Sequence, residues 1–310
     1  MINIDKNTLY FIKAGSSYAL DYSVTNYVQN KKIQRIDLDW SSVGIHYIKY
    51  SILETVNFLL KKGVNESDIY VVSDLSQIGR FYTTDVNEFA EEYYLKNKLI
   101  QNINIDNEFY FNFLSNGIID VNGNIFDCMI RGSFDSYSSK LKNILTNNQK
   151  LSYTQDSLFY IEDYLENLVE LQKELSNKNI NYSLYPMNNI FEGWFIEDDI
   201  IKHKYSYHIE YSLPNLSDCL LISELSEKSK ELFSQVDLDN ICFYKGEGNE
   251  FGGMDEFAID NYTEDVFTDT PDKLKNQNFF GYHPRQFVRN DYFNKYIKER
   301  YDLFLEKSLL

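Results

Sequence analysis

The sequence predicts an α/β fold built on a mostly parallel sheet, and three observations predict it. Within the first 75 residues, short runs of large β-forming residues alternate with segments of helical apolar spacing. The same alternation returns at 154–185, where a long amphipathic helix leads into another apolar strand. Only four prolines and thirteen glycines occur in 310 residues, too few for long linkers or a propeller. Strands joined through helices call for parallel pairing with right-handed crossovers.

The elements follow in order. Tyr10, Phe11 and Ile12 read as a buried first strand that stops at the small residues Gly15-Ser16-Ser17. Beyond Ser17, the residues Tyr18, Tyr22, Val24 and Val28 suit one side of a short helix. Residues 33–40 alternate apolar and polar and read as a second strand, after which Ser41-Ser42-Val43-Gly44 makes a turn. Ile45, Ile48, Ile52, Val56, Leu59 and Leu60 recur at helical spacing, which predicts an amphipathic helix over 45–62. Lys61-Lys62-Gly63 closes it, with cations on the negative end of the dipole and a glycine at the cap. Residues 68–73 form a third strand, so the expected opening order is β-α-β-α-β.

From 85 to 150 the pattern loosens. Asn-rich patches, the aromatic run at 109–113 and turns at Gly117 and Gly123 predict a partly helical excursion over the edge of the sheet. Leu158, Ile161, Leu165, Leu168, Val169, Leu171 and Leu175 carry the apolar face of a helix over 154–178. A strand at 180–185 follows, and Asn188-Asn189-Ile190-Phe191 leaves it as a loop. The polar 195–235 region is expected to hold a helix at 223–234. Gly246, Gly248, Gly252 and Gly253 predict a loop over 243–257, and a last helix is expected from about 289 to 307. Nothing reads as a repeat or a linker, so a single domain over 1–310 is expected, with 85–150 and 195–250 as insertions.

Charge and composition narrow the partners. With 47 acidic and 30 basic residues the formal charge is −17, and the basic residues are dispersed. Such a surface repels phosphate backbones and anionic membranes, so neither nucleic acid nor a membrane is an expected partner. No stretch reaches the roughly 18 apolar residues of a membrane span, and no signal segment opens the chain. Cys128, Cys219 and Cys242 are widely spaced and form neither a disulfide framework nor a zinc pattern. No cofactor or metal is expected. An acidic loop with Asp255, Glu256 and Asp260, joined by a histidine, is the nearest to the ligand set of a metal-dependent hydrolase, but so acidic a chain clusters carboxylates by chance.

A strand that ends in Gly-Ser-Ser puts hydroxyls at the carboxyl edge of a sheet, where open α/β folds keep their ligands. The plain alternative is a serine that caps the next helix. Acyl transfer by serine also needs a base, and the chain has four histidines, His46, His203, His208 and His283. His46 reads as a helix-end residue, and His203 and His208 lie in a charged aromatic stretch. His283 differs: it sits in a loop, precedes Pro284 and stands directly before the last helix, where a base reaches back toward an early serine.

Gly15-Ser16-Ser17-Tyr18 after a first strand resembles the Gly-Asp-Ser-Phe block of the SGNH/GDSL hydrolases. Ser41-Ser42-Val43-Gly44 resembles their second block, and Gly281-Tyr282-His283-Pro284 their last. More closely, the chain is similar to divergent SGNH-like proteins of tailed bacteriophages. It shares with them Ser76-Gln77-Ile78-Gly79-Arg80-Phe81 after the third strand, the long helix with its Asn-Ile-Phe loop, and Gly252-Gly253-Met254-Asp255-Glu256-Phe257. The resemblance implies a three-layer α/β/α sandwich with a flavodoxin-like sheet. It implies a serine esterase or carbohydrate deacetylase acting on an ester or carbohydrate substrate without a cofactor. Ser17 would be the nucleophile and His283 the base, with Ser17, Gly44 and Ser76 around the oxyanion. It also implies a place in the host cytoplasm, or incorporation into a virion beside partner proteins.

The chain departs from the family at three places. Ser16 replaces the aspartate beside the nucleophile. The third-block asparagine is absent near 73–77, which leaves Ser73, Asp74 or Ser76 in its role. Phe280 and Gly281 occupy the places of the aspartate that orients the histidine, which leaves Asp272 or Asp269 for that task. A second expectation therefore stands beside the first: a catalytically degenerate relative, kept as a virion component or glycan-binding module.

Overall fold

The structure is a computed structural model that describes residues 7–15, 27–28, 31–39, 45–75, 81–83, 125–128, 157–197, 200–203, 219–246, 249–262 and 284–308. The chain is mixed α/β. Strand β1 (Thr8–Gly15) is followed by β2 (Tyr27–Val28), β3 (Lys31–Asp39), helix α1 (Ile45–Lys61) and β4 (Ile69–Leu75). A short ribbon of β5 (Phe81–Thr83) and β6 (Ile125–Cys128) precedes α2 (Ser157–Asn177) and β7 (Asn181–Pro186). Then come the hairpin β8 (Trp194–Glu197) and β9 (Ile200–His203), helix α3 (Glu227–Ser234), the hairpin β10 (Tyr244–Gly246) and β11 (Asn249–Gly252), and α4 (Met254–Asn261). Helices α5 (Gln286–Tyr292) and α6 (Lys298–Ser308) end the described chain, joined by one π-helical turn over Phe293–Ile297.

The main sheet has the order β2-β3-β1-β4-β7. Strands β3, β1, β4 and β7 run parallel, and β2 adds an antiparallel edge. Every residue of β1 and of β4 is buried, as a strand covered on both faces requires. Alternate side chains serve two cores. Tyr10, Ile12 and Ala14 join Ile52, Val56 and Leu59 of α1 and Leu165, Leu168 and Leu175 of α2. Leu9 and Phe11 turn the other way, to Tyr70, Val72 and Tyr185 of the sheet and to Phe257, Tyr292, Tyr301 and Phe304 of the later helices. Beyond β7 the sheet is continued by a bridge, Leu184 to Ile241, where the Cys242 amide donates to the Leu184 carbonyl at 2.7 Å.

Helices α1 and α2 end alike. The amide of Val64 bonds the Leu59 carbonyl at 3.1 Å and that of Ile180 bonds Leu175 at 2.9 Å. The residues inside these turns, Gly63 and Asn179, have φ of +87° and +54°. Among the described residues no helix is long and apolar enough to cross a membrane.

Several sequence expectations are corrected. Val28, expected on a helix, pairs with Lys31 in β2, and Tyr27 pairs with Lys32. Pairing with Lys31 and Lys32 of β3 gives these two β-formers ladder bonds that a weakly periodic helix end does not offer. Residues 16–26 lie outside the described residues, so the expected first helix there is not described. Of 85–150 only β6 is described, paired with β5; the rest of the expected, partly helical excursion lies outside the described residues. The polar 195–235 region contains β8–β9 as well as α3, which Ser226 caps by accepting the Ser229 amide at 2.9 Å. The expected loop over 243–257 is a hairpin followed by α4. Gly246, Gly252 and Gly253 mark tight approaches inside an ordered unit, not the absence of structure. The last helix starts at Gln286, earlier than predicted.

Candidate functional site

Strand order reverses at β1: the chain passes to β3 on one side and to β4 and β7 on the other. In parallel sheets the crevice outside the carboxyl ends at such a reversal is where ligands bind. The ends that meet there are Gly15, Asp39, Leu75 and Pro186.

At the junction of β1 and β4 a carboxylate lies against a glycine. The last paired residues are Ala14 and Ser73, and the next two are Gly15 and Asp74. Asp74 has no solvent exposure, and Gly15 has φ of +143°. A Cβ on Gly15 would lie 2.6 Å from Asp74 Cγ, 2.6 Å from Oδ2 and 2.9 Å from Oδ1. The carboxylate therefore occupies the space that any side chain at position 15 would need. Ser73 Oγ is buried on the opposite face of the strand and donates to the Asp74 carbonyl at 3.0 Å.

At the end of β7 the chain is locked by the start of α4. A Cβ on Gly253 would lie 2.5 Å from the Asn188 amide nitrogen and 2.6 Å from the Pro186 carbonyl oxygen, so the two backbones touch. The Asp255 amide donates to the Met187 carbonyl at 2.8 Å. The Glu256 carboxylate accepts from the Gly253 amide at 2.7 Å and from the Asn189 amide at 2.9 Å. Asn189 in turn donates to Glu192 at 2.7 Å and to Asn249 Oδ1 at 2.8 Å, and accepts from the Glu192 amide at 2.9 Å. Buried polar groups are tolerated when matched in this way. Among the described residues, none donates a hydrogen bond to the buried Asn188 Oδ1.

A second layer of polar groups lies deeper on the same side of the sheet. Tyr70 and Ser183 share a 2.7 Å hydrogen bond, and Tyr292 donates to the Cys242 carbonyl at 2.6 Å. Burial pushes the Tyr70 and Tyr292 hydroxyls and the Cys242 thiol above their ordinary ranges, so these groups stay protonated at neutral pH. The Tyr292 bond ties α5 to the segment that bridges onto β7, and the Tyr70–Ser183 bond joins β4 to β7.

The site residues read from sequence, Ser17, Gly44, Ser76, Asp272 and His283, lie outside the described residues, as does Asp269. The structure describes their chain neighbours. Gly15 stands two residues before Ser17, Leu75 directly before Ser76, and Ile45, the first residue of α1, directly after Gly44. Pro284, next to His283, is buried, and its carbonyl accepts from Arg289 Nε at 2.7 Å at the start of α5. The acidic residues of the weighed metal set are engaged separately: Glu256 with two backbone amides and Asp260 with the Tyr244 hydroxyl at 2.7 Å. Among the described residues no three His, Cys, Asp or Glu side chains are grouped to hold a metal ion.

Sequence reasoning did not find the roles of Asn189 and Glu256. The signal was a glutamate three residues after Gly253, which is capping-box spacing. Compared with protein-family models, with curated proteins and with solved structures, the chain matches none.

Proposed function

We propose that this chain is a serine hydrolase of the SGNH/GDSL type acting on an ester, with an acylated carbohydrate as the substrate class. Ser17 Oγ attacks the carbonyl carbon while His283 takes its proton. The amides of Ser17 and Gly44, with Ser76, hold the oxyanion, and the proton on His283 passes to the leaving alkoxide. Water then repeats the sequence on the acyl-serine. Asp272 orients the imidazole. The reading takes β3-β1-β4-β7 as the centre of a flavodoxin-like three-layer sandwich.

The observation that carries it is the end of β1. Gly15 closes that strand where the order reverses, two residues before Ser17. The test is hydrolysis of p-nitrophenyl acetate and acetylated xylan by the full chain, with Ser17→Ala and His283→Ala alongside. Both variants are expected to lose at least about 1000-fold in kcat. Absence of hydrolysis by folded wild-type protein overturns the reading.

One observation favours a second reading, a degenerate relative that serves as a virion component or glycan-binding module. The Ser73 hydroxyl is committed to a backbone carbonyl, and Asp74 offers a carboxylate, an acceptor, where the resemblance expects an asparagine donor. Retention on a glycan array by a protein that hydrolyses nothing would support this alternative.

A further inference from the structure

We propose that the last helix is one residue longer than its packing needs, and that the π-helical turn over Phe293–Ile297 is a register adapter that absorbs the extra residue.

The buried residues of this helix fall into two sets. Val288 and Tyr292 stand four apart, and Phe293, Ile297, Tyr301 and Phe304 follow one another at four, four and three. Each set alone makes an α-helical stripe, because steps of three and four return to nearly the same side. The two stripes are out of step by one residue, since Tyr292 and Ile297 are five apart. In an unbroken α-helix that step leaves Ile297 about 140° round from Tyr292. One of the two sets would then face away from the sheet.

Both sets nevertheless lie in one core, on one side of the main sheet. Tyr292 donates to the Cys242 carbonyl at 2.6 Å, and its ring lies 5.4 Å from Phe257 and 6.0 Å from Tyr185. Tyr301 lies 5.3 Å from Phe11 and 5.6 Å from Tyr70, and Phe304 lies 4.9 Å from Tyr70. With both ends held, the helix must change its winding between them. It does so in one turn. The Phe293 amide bonds the Arg289 carbonyl in the ordinary α pattern, whereas the Lys298 amide bonds the Phe293 carbonyl five residues back. A turn closed over five residues brings Ile297 round to the side of Tyr292. The excess falls on the outer side, where Asn294 and Lys295 are exposed. With one of these residues removed, the steps from Val288 to Phe304 become four, four, four and three, which one continuous α-helix buries on one side.

The test is a pair of single-residue deletions in the full chain. Deletion of Asn294 takes out the extra residue. Deletion of Glu299, also exposed, turns Tyr301 and Phe304 about 100° away from the sheet. The Asn294 deletion is expected to keep the urea midpoint at or above that of Asn294→Ala, which controls for the lost side chain. The Glu299 deletion is expected to lower it by about 1 M or more, or to prevent folding. A midpoint for the Asn294 deletion below that of Asn294→Ala overturns the inference, and so does failure of that deletion to fold. Equal midpoints for the two deletions overturn it as well, because packing would then not depend on register.

Discussion

At Gly15 two demands fall on one residue: a φ of +143° and the presence of Asp74 where a side chain would go. Gly15→Ala answers neither. The backbone strain and the displaced carboxylate together are expected to remove about 2 kcal/mol or more from stability, read from the urea midpoint. Tyrosines define a second expectation at this scale. The hydroxyls of Tyr182, Tyr244 and Tyr262 are pushed up to about 12, first by burial and then by the neighbouring carboxylates of Asp237, Asp260 and Asp291. Their unfolded value is about 10, so the folded protein keeps its protons longer than the unfolded chain. This contribution is complete below pH 10 and is lost as pH rises through 12. Urea midpoints measured across that window should fall steadily, and Tyr182→Phe should make the fall shallower.

Among the elements, the end of α2 invites a direct comparison with that of α1. Asn179 holds the same left-handed place as Gly63, with φ of +54°. Asn179→Gly removes the Cβ penalty and is expected to raise stability by up to about 1 kcal/mol, seen as a higher melting temperature. The start of α4 depends on Glu256, whose carboxylate serves two backbone amides from two segments. Glu256→Ala leaves both amides unmatched in a buried place, and a loss of about 2 to 4 kcal/mol is expected in the same measurement. These elements also show what the sequence can disclose. Helices α1 and α2 were legible because their apolar residues repeat at 3.6, and β1, β4 and β7 because strands buried on both faces are continuous apolar runs. β10, β11 and α4 were hidden because their order comes from long-range contacts. Gly253 touches Pro186 and Asn188, and Glu256 reaches Asn189, partners more than sixty residues away. Glycine read locally predicts a loop. Asp74 was legible as a candidate by its place after the third strand, but its burial against Gly15 depends on strand order, which local pattern does not encode.

On the scale of the whole molecule, charge and sheet architecture dominate. A net charge of −17 makes the folded chain repel itself, while its surface ion pairs, such as Lys49 with Glu170 at 2.6 Å, contribute little. Screening therefore helps more than it harms. Raising sodium chloride from about 10 mM to about 150 mM shortens the screening length from roughly 30 Å to 8 Å. The melting temperature is expected to rise by about 2 °C or more, and a fall would mean that attractive pairs outweigh the repulsion. The two margins of the main sheet lead to a different property. On one side β2 is two residues long and antiparallel, and it borders Lys31 and Lys32. On the other, Leu184 is already engaged by Ile241 and by the amide of Cys242. A β-sheet grows into fibrils by recruiting strands at free margins, and a short margin flanked by lysines or one already occupied resists recruitment. A chain rich in tyrosine and phenylalanine is in this way kept from polymerising through its most apolar layer.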